Sequence, residues 1–408
     1  MSTFKILSLD GGGTWALIQV RALQKIYGDD ATGHEVLSHF NLVSANSGGS
    51  LVLGGLIENL PLSEIGALFS DANQRSKIFV PLGIIHLIDK VLEATLHLGP
   101  KYSTSRKLLG IQAALPKYGA TPLNELPASL ANGRARPRIL IPTFDYDLRR
   151  ETFFRSDTNS LANGMIDKTA PTVAEAIHAS TNAPINYFDQ PAQFPSSPTV
   201  FGSHRYWDGA VAGYNNPVLA AVTETLANQS RYDVDPSQLR VLSIGTGNTS
   251  LPLVERGSPV PSATELVVHP QTPWLAADIA EMATSIMSDP PDAATYIAHV
   301  MLGGAVSCDP QQCKSGLVVR MNPLIRPICK DNAWVLPSGL SDTDFARLVK
   351  LDMDATNPED VKLIDHFCAQ WIQDAVPNQA VRANERFETL IGQDLFSSAL
   401  KAWRDFGA

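Results

Sequence analysis

The chain has 408 residues, 44% of them apolar, which is ample for a sizeable core. Its formal net charge is −9 and it carries no Lys/Arg-rich run, which argues against nucleic acid as a partner and against a polybasic patch for membrane docking. Cys308, Cys313, Cys329 and Cys368 form no CxxC and have no His pair beside them at ligand spacing. They are expected to be reduced thiols in a cytoplasmic protein, with no metal and no cofactor. No stretch of ~18 uninterrupted apolar residues predicts a transmembrane helix, and the opening MSTFKILSLDGGG has no leader pattern.

Lys5-Ile6-Leu7-Ser8-Leu9 reads as a first strand running into Asp10-Gly11-Gly12-Gly13-Thr14, with a helical pattern from Trp15 to about Tyr27. A glycine loop between strand and helix offers backbone N–H groups to an anion. It reads either as a phosphate cradle or as an oxyanion hole, and the first is weak because neither G-x-G-x-x-G nor G-K-[ST] is present. Leu42 to Ala45 is a short buried strand, Asn46-Ser47-Gly48-Gly49-Ser50 a sharp turn, and Leu51 to Leu60 an apolar helix. Strand, tight turn and helix with a serine at the apex make a nucleophile elbow. Small residues are needed two before and two after the serine, and Ala45 and Gly49 stand there. Ser47 and the Gly48 N–H would then lie at a helix N-terminus, where free donors favour developing negative charge.

Further helices are expected over Leu62 to Gln74 and in the greasy stretch Ile84 to Leu98, which reads as a core helix or a mobile cover. Arg138 to Phe144 and Glu151 to Arg155 read as strands joined by a solvated turn at Asp145 and Asp147, without the pattern of a calcium loop. Thr172 to Ser180 is a helix carrying His178, which reads as a structural histidine. Leu239 to Ser243 is a strand, Ser250 to Thr272 a Pro/Ser-rich loop, and Leu317 to Met321 another strand. Helices are expected over Trp274 to Ser288, Ala293 to Gly303, Thr343 to Asp352, Pro358 to Asp374 and Asn384 to Phe406.

Asp10-Gly11-Gly12-Gly13 followed by the Ser47 elbow resembles the patatin-like phospholipase family. Lys101 to Thr104, Thr121 to Leu126, the segment AIHASTNAP with Phe188, Asp208-Gly209-Ala210 with Asn215-Asn216-Pro217, and Ile244 to Gly247 resemble later blocks of the same family. The resemblance covers residues 4 to 250 well and the remainder loosely. The family's first motif usually reads D-G-G-G-x-[RK]-G, and here Trp15 and Ala16 replace the basic residue and the last glycine.

The resemblance implies a three-layer α/β/α fold with a mostly parallel central sheet. Residues 1–250 are expected to form the catalytic core and 251–408 a mostly helical region packed on it, as lid, regulator or oligomer interface. It implies a lipid acyl hydrolase, a phospholipase A or a less selective acylglycerol and phospholipid esterase, working through a Ser47–Asp208 dyad and an acyl-enzyme. The oxyanion hole would come from Gly11, Gly12, Gly13 and Gly48. An exposed aspartate of pKa ~3.9 is a poor base for a hydroxyl, so either Asp208 is shielded or proton transfer runs together with attack. Expected partners are a phospholipid or other acyl-ester lipid, a membrane surface touched transiently, and a second copy of the chain. The rival expectations are a catalytically silent lipid- or partner-binding protein, motivated by Ala45, Trp15 and Ala16, and a nucleotide-binding protein.

Overall fold

A computed structural model describes residues 3–82, 99–157, 170–194, 204–254, 267–268, 290–304, 317–330, 333–384 and 389–407. The expected segments Ile84 to Leu98 and Trp274 to Ser288, with Cys308 and Cys313, lie outside these residues.

The strands are β1 (Phe4–Leu9), β2 (Leu42–Ala45), β3 (Arg138–Asp145), β4 (Arg150–Arg155), β5 (Ala192–Gln193), β6 (Arg205–Asp208), β7 (Leu239–Ile244), the short β8 (Asn248–Thr249) and β9 (Val318–Met321). All but β8 form one sheet in the order β5-β6-β3-β2-β1-β7-β9, with β4 paired to β3. The central pairs β3-β2, β2-β1, β1-β7 and β7-β9 are parallel, whereas β4, β5 and β6 add antiparallel pairs at one side. The central strands are near-continuous apolar runs because helices cover both faces. Leu7, Leu9, Leu242 and Ile244 face the larger core with the helices Leu17–Tyr27 and Ser47–Glu58, while Phe4, Ile6, Leu239 and Val241 face a second core with Val218–Ala227 and Pro290–Met301. This alternation along each strand makes a three-layer α/β/α structure.

The expected domain line at residue 250 falls between two strands of one sheet, because β9 extends it beyond β7. The expected helix over Leu62 to Gln74 is two helices, Leu62–Ser70 and Ala72–Ile78. Asp71 leaves the helical region between them and caps the second by accepting from the Gln74 N–H at 2.9 Å. The stretch expected to be helical from Asn384 begins instead as a two-stranded ladder of Arg382–Asn384 and Thr389–Ile391, followed by the helix Phe396–Asp405. Gly392, at φ +91°, separates ladder from helix.

Candidate active site

Ser47 opens the helix Ser47–Glu58 directly after β2, with Asn46 at the N-cap. Its φ is +47°, a left-handed backbone that a non-glycine residue adopts at a cost of ~1–2 kcal/mol. The turn is that tight because the elbow packs on the end of β1. A Cβ on Gly49 would stand 2.6 Å from the carbonyl oxygens of Leu9 and Asp10, so only glycine fits. Ala45 is less constrained: it is the last residue of β2, buried and paired with Leu9, where a methyl packs into the core.

Asp208 ends β6, which runs against the parallel strands. The glycine loop and the elbow follow the carboxyl ends of the parallel strands β1 and β2, and Asp208 lies at the end of an antiparallel one. Register brings Asp208 to the same level all the same. Ser44 pairs with Leu140 and Asp208 with Thr143; three residues beyond Ser44 is Ser47, and three beyond Leu140 is Thr143. The Ser47 side chain and the Asp208 carboxylate are thereby neighbours, and Ser47 is among the groups that favour the ionised carboxylate. Asp208 is 1% exposed and Ser47 6%. Burial pushes the Asp208 carboxyl above the ordinary carboxylate range, while the Ala210 N–H, the Ser47 hydroxyl, the Asn46 amide and the Lys107 ammonium pull it down. Asp208 is thus shielded from solvent.

The four glycines expected to bind an oxyanion differ in what they have free. The Gly11 N–H donates to the Asn215 carbonyl at 2.8 Å, and the Gly11 carbonyl accepts from the Thr246 hydroxyl at 2.6 Å, so Gly11 anchors the loop and offers no donor. Gly12 and Gly13, at φ +149° and +55°, carry N–H groups without a hydrogen-bond acceptor among the described residues. A Cβ on Gly48 would stand 2.5 Å from the Gly13 carbonyl oxygen, so the glycine loop and the elbow are in backbone contact. The Asn215-Asn216-Pro217 block thus has a physical use: Asn215 holds Gly11, and Asn216 Oδ1 accepts from the Val218 N–H at 3.0 Å to start the next helix.

Several residues around the site carry no signal in the sequence reading. Asn46 Nδ2 donates to Asp208 Oδ1 at 2.9 Å. Ser180, inside the family block, donates its hydroxyl to Asn46 Oδ1 at 3.0 Å and accepts the Ser47 N–H at 3.1 Å. Lys107 is fully buried, donating to the His178 carbonyl at 3.0 Å and to Asn182 Oδ1 at 2.8 Å, with its ammonium 4.0 Å from the Phe188 ring centroid. It caps the end of the helix Val173–Ser180. His178 is buried beside it, and burial and the ammonium both hold the imidazole neutral. Arg320 on β9 donates to Asp10 Oδ2 at 2.6 Å and to Ser243 Oγ at 2.8 Å beneath the glycine loop.

The front of the site is closed by residues far along the chain. Met353 lies against Gly13, and its carbonyl accepts the Thr14 N–H at 2.9 Å. The Trp15 indole, standing where the family pattern has a cation, donates to the Asp352 carbonyl at 3.1 Å. Lys101 pairs with Asp352 at 3.0 Å and Asp354 at 3.4 Å, and the Tyr102 hydroxyl donates to Asp354 at 2.7 Å. Between Ser47, Leu51, Phe79, Phe188 and Met353 remains a cavity of ≈ 20 Å³, room for about one water. Among the described residues no three His, Cys, Asp or Glu side chains converge as a metal site, and no helix is long and apolar enough to cross a membrane.

A three-layer α/β/α sheet with a serine elbow beside a glycine loop is the architecture of a lipid acyl hydrolase fold of the patatin type. The family model for patatin-like phospholipases matches residues 7–222, and the chain belongs to that family. A cGAMP-activated phospholipase of Pseudomonas aeruginosa is 27% identical over 158 residues, which cover 38% of this chain and 40% of that protein. The match thus spans two fifths of that relative's length. Among solved structures, VipD from Legionella pneumophila aligns at TM-score 0.32 and 10% identity, covering 90% of this chain and 67% of that one. The type III effector ExoU aligns at TM-score 0.22 and 14% identity, over 74% and 54% of the two chains.

Proposed function

We propose that the chain hydrolyses acyl esters of phospholipids or acylglycerols through Ser47 and Asp208. The observation that carries this reading is a serine held in a left-handed backbone and tied by hydrogen bonds through Ser180 and Asn46 to a buried carboxylate. In the first half-reaction the Ser47 oxygen attacks the ester carbonyl and its proton passes to Asp208. The negative charge on the tetrahedral oxygen is met by the Gly12 and Gly13 N–H groups and by Gly48 at the helix N-terminus. Each such donor is worth ~2.7–4 kcal/mol in the transition state. Collapse expels the alcohol, which takes the proton back from Asp208. Water, deprotonated by the same carboxylate, then attacks the acyl carbon, and collapse breaks the bond to Ser47, whose oxygen takes the proton back from Asp208 as the fatty acid leaves.

The substrate is a lipid met at a membrane surface, and the protein works from the cytoplasm. Ligand cavities usually hold ~300–1,000 Å³, so a site with room for one water is a resting form. The segment Asp352-Met353-Asp354 is its cover, in keeping with a lid role for the region after residue 250, and it lifts before an acyl chain enters. The Pseudomonas relative is activated by cGAMP, and a cover that must be lifted suits an enzyme that waits for a signal.

The test is incubation with mixed phospholipid vesicles and mass spectrometry of released fatty acids. The reading expects release by the wild type and background from Ser47→Ala and Asp208→Asn. Release that survives both substitutions overturns it.

A further inference from the structure

Asn46 holds the N-cap of the elbow helix, and asparagine is among the best residues for that task because its side-chain oxygen accepts an N–H of the first turn. Here it makes no such bond. Its amide is turned inward and spent on the site: Oδ1 accepts the Ser180 hydroxyl and Nδ2 donates to Asp208 Oδ1. The space is shaped to it, since a Cβ on Gly209 would stand 2.5 Å from Asn46 Oδ1. Asp208 Oδ1 accepts a second bond from the Ala210 N–H at 2.9 Å. Two donors fill both lone-pair sites of that oxygen and leave Oδ2 as the oxygen open to a further donor. Ser180 extends the network to the nucleophile by accepting the Ser47 N–H. The chain of hydrogen bonds Ser47–Ser180–Asn46–Asp208 therefore ties the nucleophile's backbone to the carboxylate.

We propose that Asn46 is a positioning residue for acyl transfer: its amide fixes the rotation of the Asp208 carboxylate so that one oxygen alone meets the Ser47 hydroxyl, and through Ser180 it keeps base and nucleophile in register. The proposal rests on the Ser47–Asp208 reading. In the Ser-His-Asp arrangement a third group orients the base from behind. Here the base is the acid itself, and a neutral amide orients it without adding charge.

The test uses the full-length protein and a soluble short-chain ester, with product quantified by chromatography from pH 4 to 9. Asn46→Leu removes both hydrogen bonds at similar volume. Plateau kcat should fall up to ~10²-fold, the scale of a misplaced reacting group. The acid limb should move up by about one pH unit, because a donor that favoured the ionised carboxylate is gone. Asn46→Asp keeps the shape. Its added carboxyl can donate to Asp208 only while the pair shares a proton, so it should exceed Asn46→Leu near pH 5 and lose activity as pH rises, with an alkaline limb absent from the wild type. Ser180→Ala should move the acid limb in the same direction by less, and it carries the test if Asn46→Leu does not fold. A merely structural asparagine lowers amplitude and leaves the profile's shape unchanged, and that result overturns the proposal. Asp208→Asn separates the two readings. If it is inactive while the Asn46 and Ser180 variants keep the wild-type profile, positioning alone fails; if it retains the wild-type rate, the dyad fails too.

Discussion

Arg320→Met is the perturbation whose size the structure fixes most closely. Arg320 and Asp10 are 2% and 3% exposed at the side chain and meet at 2.6 Å. Asp10 heads the glycine loop, and its Oδ1 has no hydrogen-bond partner among the described residues, so Oδ2 on Arg320 is what balances the charge. Removing one partner of a buried pair leaves an uncompensated charge and costs ~3–5 kcal/mol. Burial already pushes the Asp10 carboxyl up to about 6, with the guanidinium pulling down. Without Arg320 nothing opposes burial, and the folded-state pKa climbs further above the unfolded ~3.9. A folded state that holds a proton the unfolded state has released loses stability as pH rises through that window. The deficit should be full at pH 8 and smaller at pH 5. Asp10→Leu combined with Arg320→Met should recover most of it. Urea unfolding followed by circular dichroism at both pH values measures this. A loss under ~1 kcal/mol at pH 8, or one equal at the two pH values, refutes the view that this pair anchors the glycine loop.

Three further outcomes follow from the site. Gly12→Ala puts a Cβ 2.2 Å from Thr246 Oγ1 at a φ of +149°, so the loop must shift its donors, and kcat on a soluble ester should fall ~10²–10³-fold; a change under threefold counts against Gly12 as a donor. Because burial raises the Asp208 carboxyl, the acid limb of wild-type kcat/KM should lie above ~3.9, and a limb at or below that value denies Asp208 the part of base. Lys101→Met releases Asp352 and Asp354 from a half-exposed cation, so hydrolysis of long-chain esters should rise ~two- to fivefold, and a fall would show that the segment supports the site and does not cover it.

Local chemistry made the elbow and the glycine loop legible in the sequence, because a strand, a run of small residues and a helix start within a dozen positions of each other. Family spacing added Asp208, whose aspartate-glycine pair alone is an ordinary turn. Two departures from the family pattern find their reason in packing. Ala45 sits in a pleat that accepts a methyl, unlike Gly49 with two carbonyl oxygens at 2.6 Å, and Trp15 exchanges a cation for an indole N–H that meets the Asp352 carbonyl. The long-range partners were not legible. Arg320 lies 310 residues from Asp10, and no periodicity says which buried arginine meets which aspartate. In sequence Asn46 reads as a turn residue, since its side chain has a local use that the structure forgoes. Gly11 reads like Gly12 and Gly13 because sequence does not reveal that its N–H is already bound to Asn215.

The most direct measurement is reaction of the purified protein with a fluorophosphonate, followed by peptide mass spectrometry to locate the adduct. The account predicts a single modified serine, Ser47, with labelling abolished in Ser47→Ala and slowed strongly in Asp208→Asn. Modification at another serine, or a Ser47 that labels equally fast without the Asp208 carboxylate, contradicts it.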